Sequence, residues 1–299
     1  MSQNVLVELS EALADAAEKA GRATVLVNAR RRMPASGIVY APDLVLTADH
    51  ILEREEDIKV ILHDGAEVRA KIAGRDADSD LAVLSLERAA GAIAEATKSP
   101  ARLGQIALVL ARPSRDGLEA SLGTVSAIGG PVRTAHGAML DRYIRTDSIS
   151  YPGFSGGPLV AADGMVLGIN TSGLTRGAAI TIPADIAWRV AETLVSHGRI
   201  KRGYLGIRSQ TVDIAESSQK ALKREQATGL LIVGIENESP ASRGGLIVGD
   251  ILVAVAGLPV LHHDELFARL NGEAAGKPTP VEILRGGQPE TLDVQVGER

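Results

Sequence analysis

The sequence is poor in several residue types, and each shortage excludes a class of protein. It contains no cysteine, so it has no disulfide bond, no thiolate metal ligand and no cysteine nucleophile. Aromatic residues make up 2% of the chain beside 32 glycines, a balance that fits turn-rich β structure. The formal charge of −5 provides no broad attraction to phosphate groups and argues against nucleic acid as a partner.

Long apolar segments are also missing. No stretch approaches the roughly 18 consecutive apolar residues of a membrane-spanning helix, so no membrane partner is expected. Residues 1–21 carry Glu8, Glu11, Asp15 and Glu18, which interrupt the apolar core that a secretion signal needs. We therefore expect a cytoplasmic location if the chain is full length, and an extracytoplasmic one if an N-terminal signal was removed.

Apolar spacing divides the sequence into three segments. Residues 1–21 repeat apolar side chains at helical spacing and end on glycine, which predicts an N-terminal helix. Residues 22–198 contain many short β-forming runs separated by turn signals, followed by a second helical stretch. Residues 199–299 contain their own strands, one short helix and a closing hairpin. This organisation predicts a β-barrel or sandwich followed by a smaller domain.

The most informative segment places a serine between glycines, in Gly153-Phe-Ser-Gly-Gly157. Because glycine allows backbone N–H groups to turn toward one point, the N–H groups of Gly153 and Ser155 are expected to form an oxyanion hole. A serine hydroxyl also needs a base. Upstream, His50 directly follows an apolar strand and Asp80 begins another, and the order His, Asp, Ser is that of chymotrypsin.

Six ordered segments resemble the signature blocks of HtrA proteases. They are Thr47-Ala-Asp-His50, Asp80-Leu-Ala-Val-Leu84, Tyr143-Ile-Arg-Thr-Asp147, Gly153-Phe-Ser-Gly-Gly157, Gly168-Ile-Asn-Thr171 and Gly203-Tyr-Leu-Gly-Ile207. The resemblance covers nearly the whole chain from about Val25 onward. It implies a mostly β protein with a chymotrypsin-like double β-barrel protease domain at 22–198 and a PDZ domain, a small α+β fold, at 199–299.

The resemblance also assigns roles to the residues of the first domain. It implies that His50 is the general base and acid, Asp80 its orienting partner and Ser155 the nucleophile. The strand that pairs with the substrate main chain is implied to contain Thr171, Ser172 and Gly173. No cofactor and no metal are implied. The sequence has no glycine-rich phosphate loop followed by lysine, so ATP independence is expected.

Primary specificity is expected to be apolar. Trypsin-like enzymes that cleave after Lys or Arg carry an acid six residues before the nucleophile. In this chain that position is Ile149, next to Ser150. Without a carboxylate, a buried substrate cation has no partner. We therefore expect cleavage after small or medium aliphatic residues.

The second domain is expected to bind peptide C-termini. Its carboxylate-binding loop is implied to consist of Tyr204, Leu205, Gly206 and Ile207. Gly206 allows successive N–H groups to converge on one anion. A C-terminal peptide would then add as a strand near Ile207. The opposite wall of the groove is expected to be a helix carrying Leu266, Phe267 and Leu270.

The function implied by the resemblance is hydrolysis of peptide bonds in unfolded or damaged proteins through an acyl-enzyme, and family analogy suggests a homotrimer. A rival enzyme class is the α/β-hydrolases, which share Gly-x-Ser-x-Gly but need both triad partners after the serine. The alternative from another class is a proteolytically silent chaperone or scaffold with a protease fold.

The chain departs from the family pattern at two positions. Phe154 stands before the nucleophile, where a polar residue is usual, and Gly130 stands where many members have an arginine that relays activation. No aromatic residue precedes Tyr40, although family trimers are held by aromatic side chains near the N-terminus. The loop before the nucleophile, the relay and the trimer contact are therefore expected to differ from those of other members.

Two other charged clusters are assigned no function. Residues 30–32, all arginine, are expected to form a solvated run in a loop. Asp76, Asp78 and Asp80 are spaced like the start of a calcium loop, but Leu81 stands where the sharp turn needs glycine. We therefore predict no calcium site there.

Overall fold

The computed structural model describes residues 4–134, 139–174, 179–200, 202–270 and 274–298. The chain divides into two compact units, Met1–Ile200 and Lys201–Arg299. The domain boundary predicted from the sequence lies between residues 198 and 199.

The first unit begins with a helix that packs on a β-rich body. In chain order its elements are α1 (Val5–Gly21), β1 (Thr24–Asn28), β2 (Ala35–Ala41), β3 (Leu44–Ala48), a 3-10 turn (Asp49–Ile51), β4 (Ile58–Ile61), β5 (Glu67–Asp76), β6 (Leu81–Leu86), β7 (Ile106–Ser114), β8 (Gly117–Gly129), β9 (Val132–Arg133), β10 (Met139–Leu140), β11 (Tyr143–Thr146), β12 (Pro158–Ala161), β13 (Val166–Thr171), β14 (Ile180–Pro183) and α2 (Ala184–His197). The side chain of Asn4 caps α1 by accepting the N–H of Leu6 at 3.2 Å. Ala16 and Ala20 of α1 are buried in the core.

Twelve of these strands close into two antiparallel barrels. The first barrel has the order β1-β2-β3-β6-β5-β4, and the second has the order β11-β14-β13-β12-β7-β8. Alternation of buried and exposed residues is clearest in β5, whereas β3, β12 and β13 are almost wholly buried. Two closed six-stranded barrels confirm the predicted double-barrel architecture.

Strand register brings two sequence-distant segments together at one end of the first barrel. β3 and β6 are neighbours, and Ala48 pairs with Leu81. The residues just beyond this pair continue the contact, because the N–H of Asp49 donates to the carbonyl oxygen of Asp80 at 3.0 Å. His50 and Asp80 therefore meet although 30 residues separate them along the chain.

The second unit is a mixed α and β structure, as the PDZ resemblance implies. Its elements are β15 (Gly203–Tyr204), β16 (Ile207–Asp213), α3 (Glu216–Leu222), β17 (Thr228–Ile235), α4 (Pro240–Arg243), β18 (Ile251–Val255), β19 (Leu258–Pro259), α5 (His263–Leu270), β20 (Pro278–Arg285), β21 (Gln288–Gln295) and β22 (Gly297–Glu298). The main sheet has the order β16-β17-β18-β20-β21, so β16 is an edge strand.

Within the described ranges, no helix combines the length and apolarity that crossing a membrane requires. Over the same ranges, no group of three or more His, Asp or Glu side chains is arranged to hold a metal ion.

Candidate active site

His50 and Asp80 form a tightly bonded pair between the two barrels. Nδ1 of His50 lies 2.8 Å from Oδ2 and 3.0 Å from Oδ1 of Asp80. The backbone N–H of His50 donates to Oδ1 at 2.8 Å. An ionised carboxylate only accepts hydrogen bonds, so Nδ1 is the donor, and in the neutral form of the imidazole Nε2 then carries the lone pair. That tautomer leaves Nε2 free to act as a base.

A strand of the second barrel completes the surroundings of Asp80. The hydroxyl of Thr171, at the end of β13, donates to Oδ2 of Asp80 in a short hydrogen bond. The hydroxyl in turn accepts the N–H of Gly173 at 2.9 Å. Asp80 is 3% exposed and adopts φ +53°, a conformation uncommon for a residue with a side chain. Such local strain is maintained by the surrounding contacts and is often found at functional sites.

The residue before His50 anchors its turn to the barrel wall. The buried carboxylate of Asp49 accepts a hydrogen bond from Nε of Arg75 at 2.7 Å. This hydrogen bond raises the pKa of Arg75 despite the opposing effect of its partial burial. The turn that carries the imidazole of His50 is thus fixed by two contacts, that of Asp49 with Arg75 and that of the His50 N–H with Asp80.

The loop that holds Ser155 presents two backbone donors. Gly153 has φ +89°, which the lack of a side chain permits. The carbonyl groups of Gly153 and Ser155 accept hydrogen bonds from Ser36. In contrast, the N–H groups of Gly153 and Ser155 make no hydrogen bond to any residue in the described ranges. The lack of a partner leaves both N–H groups free to donate, and the oxyanion hole expected from the glycine-rich sequence stays a prediction.

Ser36 of β2 anchors the loop that holds Ser155 by two hydrogen bonds. Its hydroxyl donates to the carbonyl oxygen of Gly153 at 2.8 Å, and its N–H donates to that of Ser155 at 3.1 Å. The backbone N–H of Arg112 donates to the same hydroxyl oxygen at 2.9 Å, which directs the hydroxyl proton toward Gly153. Ser36 is fully buried. No signal in the sequence singled out this residue, because its neighbours read only as a strand.

Replacing Ser36 by alanine is expected to lower kcat for peptide hydrolysis about tenfold while KM changes little. The buried carbonyl of Gly153 would lose its donor, and the oxyanion loop would lose one of its two anchors. Steady-state kinetics on an unstructured protein substrate measure the effect. Ser85→Ala, which removes another serine hydroxyl from the same barrel, is the matched control, and an unaltered kcat in Ser36→Ala would contradict the anchoring role.

Ser155 and His50 line one cleft of about 340 Å³. Its described lining consists of Arg30, Met33, His50, Ser150, Tyr151, Pro152, Gly153, Ser155, Asn170, Thr171, Ser172 and Ala179. The hydroxyl of Ser155 lies 3.2 Å from that of Ser172 and accepts the N–H of Ser172 at 3.4 Å. Within the described residues it makes no hydrogen bond to His50. Catalytic hydrogen bonds often form only when substrate is bound, so this geometry is compatible with a resting enzyme.

The remaining residues named from the sequence do not all line the cleft. Ser150 lines the cleft, but the side chain of Ile149 is 59% exposed and lies outside the described lining. Phe154 is 1% exposed and packs edge-on against Tyr151 with ring centroids 5.4 Å apart. The sequence predicted that Arg30 lies in a solvated loop run. The structure corrects this expectation, because Arg30 lines the cleft instead of being wholly solvated.

The second unit has a matching pair of free donors in its Tyr204–Ile207 loop. Gly206 has φ +77°, and a Cβ there would lie 2.4 Å from Cβ of Ser239. The carbonyl oxygens of Leu205 and Gly206 accept hydrogen bonds from residues 241 and 236. Their N–H groups make no hydrogen bond in the part of the chain that the structure describes. This arrangement is suited to an anion.

Helix α5 carries the three side chains that are expected to form the other wall of the groove, and that role stays a prediction. Leu266 and Leu270 of α5 are each 3% exposed and belong to the core of the second unit, while Phe267 is half-buried. The start of α5 is joined to the edge strand, because Nε2 of His263 lies 3.1 Å from both the hydroxyl and the carbonyl oxygen of Ser209. An added strand would compete for that carbonyl group.

Comparison with known families gives two matches in the predicted order. The family model of the trypsin-like peptidase domain matches residues 35–169, and that of the PDZ domain matches residues 203–296. A probable periplasmic serine endoprotease DegP-like from Pseudomonas savastanoi pv. phaseolicola is 32% identical over 271 residues, 88% of this chain and 55% of the relative. One from Rhizobium meliloti is 33% identical over 278 residues, covering 90% of this chain and 54% of the relative. The chain thus spans about 55% of the length of the first of these relatives.

Both relatives are called periplasmic, so the comparison does not support the cytoplasmic location predicted from the N-terminal residues.

Among solved structures, the HtrA-type protease AlgW with decapeptide matches with a TM-score of 0.78 and 25% identity, covering 96% of this chain and 98% of that chain. The serine endoprotease from Yersinia pestis matches with a TM-score of 0.80 and 26% identity, with the same coverage. The two domain matches, the relatives and these structures show that the chain belongs to the HtrA-type proteases, which join a trypsin-like domain to a PDZ domain.

Proposed function

We propose that this chain is an ATP-independent serine endopeptidase that hydrolyses unfolded or damaged proteins. The observation that carries the proposal is that His50, which is bonded to Asp80, lines the same cleft as Ser155, where the N–H groups of Gly153 and Ser155 have no partner among the described residues. General base, orienting carboxylate, nucleophile and oxyanion donors are the parts that acyl transfer needs.

The proposed reaction begins when the substrate carbonyl oxygen occupies the site between the N–H groups of Gly153 and Ser155. The hydroxyl of Ser155 leaves Ser172 and transfers its proton to Nε2 of His50 while Oγ attacks the carbonyl carbon. Asp80 stabilises the resulting imidazolium through Nδ1. The tetrahedral intermediate then collapses, the C–N bond breaks, and Nε2 returns the proton to the leaving amine. Water then takes the place of the amine: it attacks the acyl carbon while Nε2 accepts its proton, and Nε2 returns that proton to Oγ of Ser155 as the acyl–Oγ bond breaks.

Covalent labelling tests the proposal directly. A fluorophosphonate probe should add to Ser155 of the full chain, and peptide mapping should locate the adduct on that residue. Ser155→Ala should remain unlabelled, and Ser172→Ala, which changes the neighbouring serine, should still be labelled. A purified, folded chain that neither reacts with the probe nor hydrolyses casein would favour the chaperone or scaffold alternative.

The primary specificity of the cleft is expected to exclude basic residues before the scissile bond. None of its described lining residues is acidic, so a Lys or Arg side chain entering there would lose hydration without gaining a carboxylate. We expect cleavage after Val, Ala, Ile or Leu. Mass spectrometry of digested casein measures the distribution of cuts, and a majority after Lys or Arg would contradict the prediction.

The PDZ unit is proposed to bind the C-terminal carboxylate of peptides at Leu205 and Gly206. Peptides ending in a free apolar residue should bind the full-length Ser155→Ala variant with roughly micromolar affinity, about −8 kcal/mol. Amidation removes the anion that the free N–H groups would bind, so it should abolish most of the affinity. Fluorescence titration compares the two forms, and equal curves would show that the loop does not bind carboxylates.

Oligomeric state and location stay as predictions. The homotrimer suggested by family analogy can be measured by sedimentation equilibrium. The extracytoplasmic alternative agrees with the names of the relatives, and fractionation of the native cells distinguishes it from a cytoplasmic location.

A further inference from the structure

The cleft that contains Ser155 and His50 includes one permanently charged side chain among its described lining residues, that of Arg30. Arg30 lies in the loop between β1 and β2. None of the other described lining residues is acidic or a lysine, so among them the guanidinium of Arg30 is the one fixed charge.

The guanidinium of Arg30 lies next to His50 and to the segment that follows it. Its Nη2 group lies 3.5 Å from the carbonyl oxygen of His50, and its Nε lies 3.8 Å from Oε1 of Glu53. The loop backbone is attached to the same segment, since the carbonyl oxygen of Ala29 accepts the N–H of Glu53 at 3.1 Å. Positioning of Arg30 is thus coupled to the turn that carries His50.

Most of the hydrogen-bonding capacity of Arg30 remains unused. A guanidinium has five N–H donors. Its buried Nε has no hydrogen-bond partner among the described residues, and Nη2 makes only the long contact to His50. The Glu53 side chain is 49% exposed, so its ion pair with Arg30 is weak and replaceable. An incoming carboxylate can bind such a group through two parallel hydrogen bonds.

The position of Arg30 indicates which part of the substrate it would contact, the acyl part or the leaving part. The proposed substrate strand lies beside the imidazole ring, because a Cβ on Gly173 would lie 2.6 Å from Nδ1 of His50. Arg30 contacts the carbonyl group of His50 instead, and its loop continues to Pro34, which borders Gly153. If the acyl part of the substrate pairs with the Gly173 strand, the leaving part extends toward Arg30.

We propose that Arg30 selects polypeptides that carry Asp or Glu within the first two residues after the scissile bond. The substrate carboxylate replaces Glu53 as the partner of the guanidinium and binds its terminal N–H groups. This inference rests on the proposed endopeptidase function and adds a substrate class to it.

Two matched peptides test the inference. Cleavage sites are first located by mass spectrometry in a casein digest, and quenched fluorescent peptides are made around one site with Glu or Gln directly after the scissile bond. The wild-type ratio of kcat/KM for the Glu peptide to that for the Gln peptide should be about ten. Arg30→Gln should bring this ratio close to one, whereas Arg31→Gln should preserve it. Glu53→Gln should raise the ratio because the competing carboxylate is gone.

Because each variant is compared with itself on two peptides, a general loss of activity cancels in the ratio. A wild-type ratio near one, or an equal ratio in wild type and Arg30→Gln, overturns the inference. The Glu53→Gln result is a second test that does not require Arg30→Gln to fold, and an unchanged or lower ratio there also contradicts it. If wild type cleaves neither peptide and does not react with a fluorophosphonate, the proposed function itself fails and the inference fails with it.

Discussion

Replacing Ser155 by alanine is expected to lower peptidase turnover by roughly 10⁴-fold or more, because the variant has no nucleophile to form the acyl-enzyme. The hydroxyl of Ser172 lies 3.2 Å from that of Ser155, so Ser172 is the neighbouring hydroxyl that the control below removes. Hydrolysis of casein or of a quenched peptide, followed at equal concentrations of folded protein, measures the loss.

The double variant shows whether the triad acts as a unit. Adding His50→Ala to Ser155→Ala should cost little more, because a base has no role once the nucleophile is gone. Ser172→Ala is the matched control for loss of a serine hydroxyl in the same cleft. Turnover near the wild-type level in Ser155→Ala would reject the serine mechanism.

The second large effect is expected for Asp80→Asn, which should lower kcat by about 10³- to 10⁴-fold. Asp80 accepts hydrogen bonds from the backbone N–H of His50 at one oxygen and from Nδ1 of His50 at the other. An amide has a single oxygen, so its NH₂ group must face one of these donors. If it faces Nδ1, the imidazole proton moves to Nε2, and the base that should accept the Ser155 proton is lost.

The structural and electrostatic parts of this effect can be separated. Asp15→Asn removes the same charge from the exposed surface of α1 and should leave kcat unchanged. Thermal unfolding of Asp80→Asn measures any loss of stability from the buried site. If folded Asp80→Asn retains a kcat within a few fold of wild type, Asp80 does not orient the base.

The sequence alone was sufficient to predict the architecture and to recognise the ordered motifs. Short β-forming runs separated by turn signals predicted the β-rich first unit because strand periodicity is a local property. The HtrA-like blocks then specified two barrels and a PDZ domain, and both the barrels and the family are confirmed. The roles assigned to His50, Asp80 and Ser155 remain predictions, although the structure places His50 against Asp80 and puts His50 and Ser155 in one cleft.

Contacts between strands that are distant in the chain could not be predicted from the sequence. Ser36 sits 117 residues before Gly153 in the chain, and its bond to the Gly153 carbonyl depends on how β2 packs against the second barrel. Thr171 reaches Asp80 across 91 residues for the same reason. A local pattern carries no information about such pairs, because the closure of each barrel decides which strands become neighbours.

The sequence by itself thus determined which chemical groups the chain carries and the order in which they appear, because both are written in local motifs. Only the tertiary structure decided their surroundings. It placed the guanidinium of Arg30 in the cleft instead of wholly in solvent, and it left the side chain of Ile149 largely exposed outside the described lining of that cleft. Burial and the direction of a side chain depend on the packing of both barrels, and that packing is set by long-range contacts that no single segment encodes.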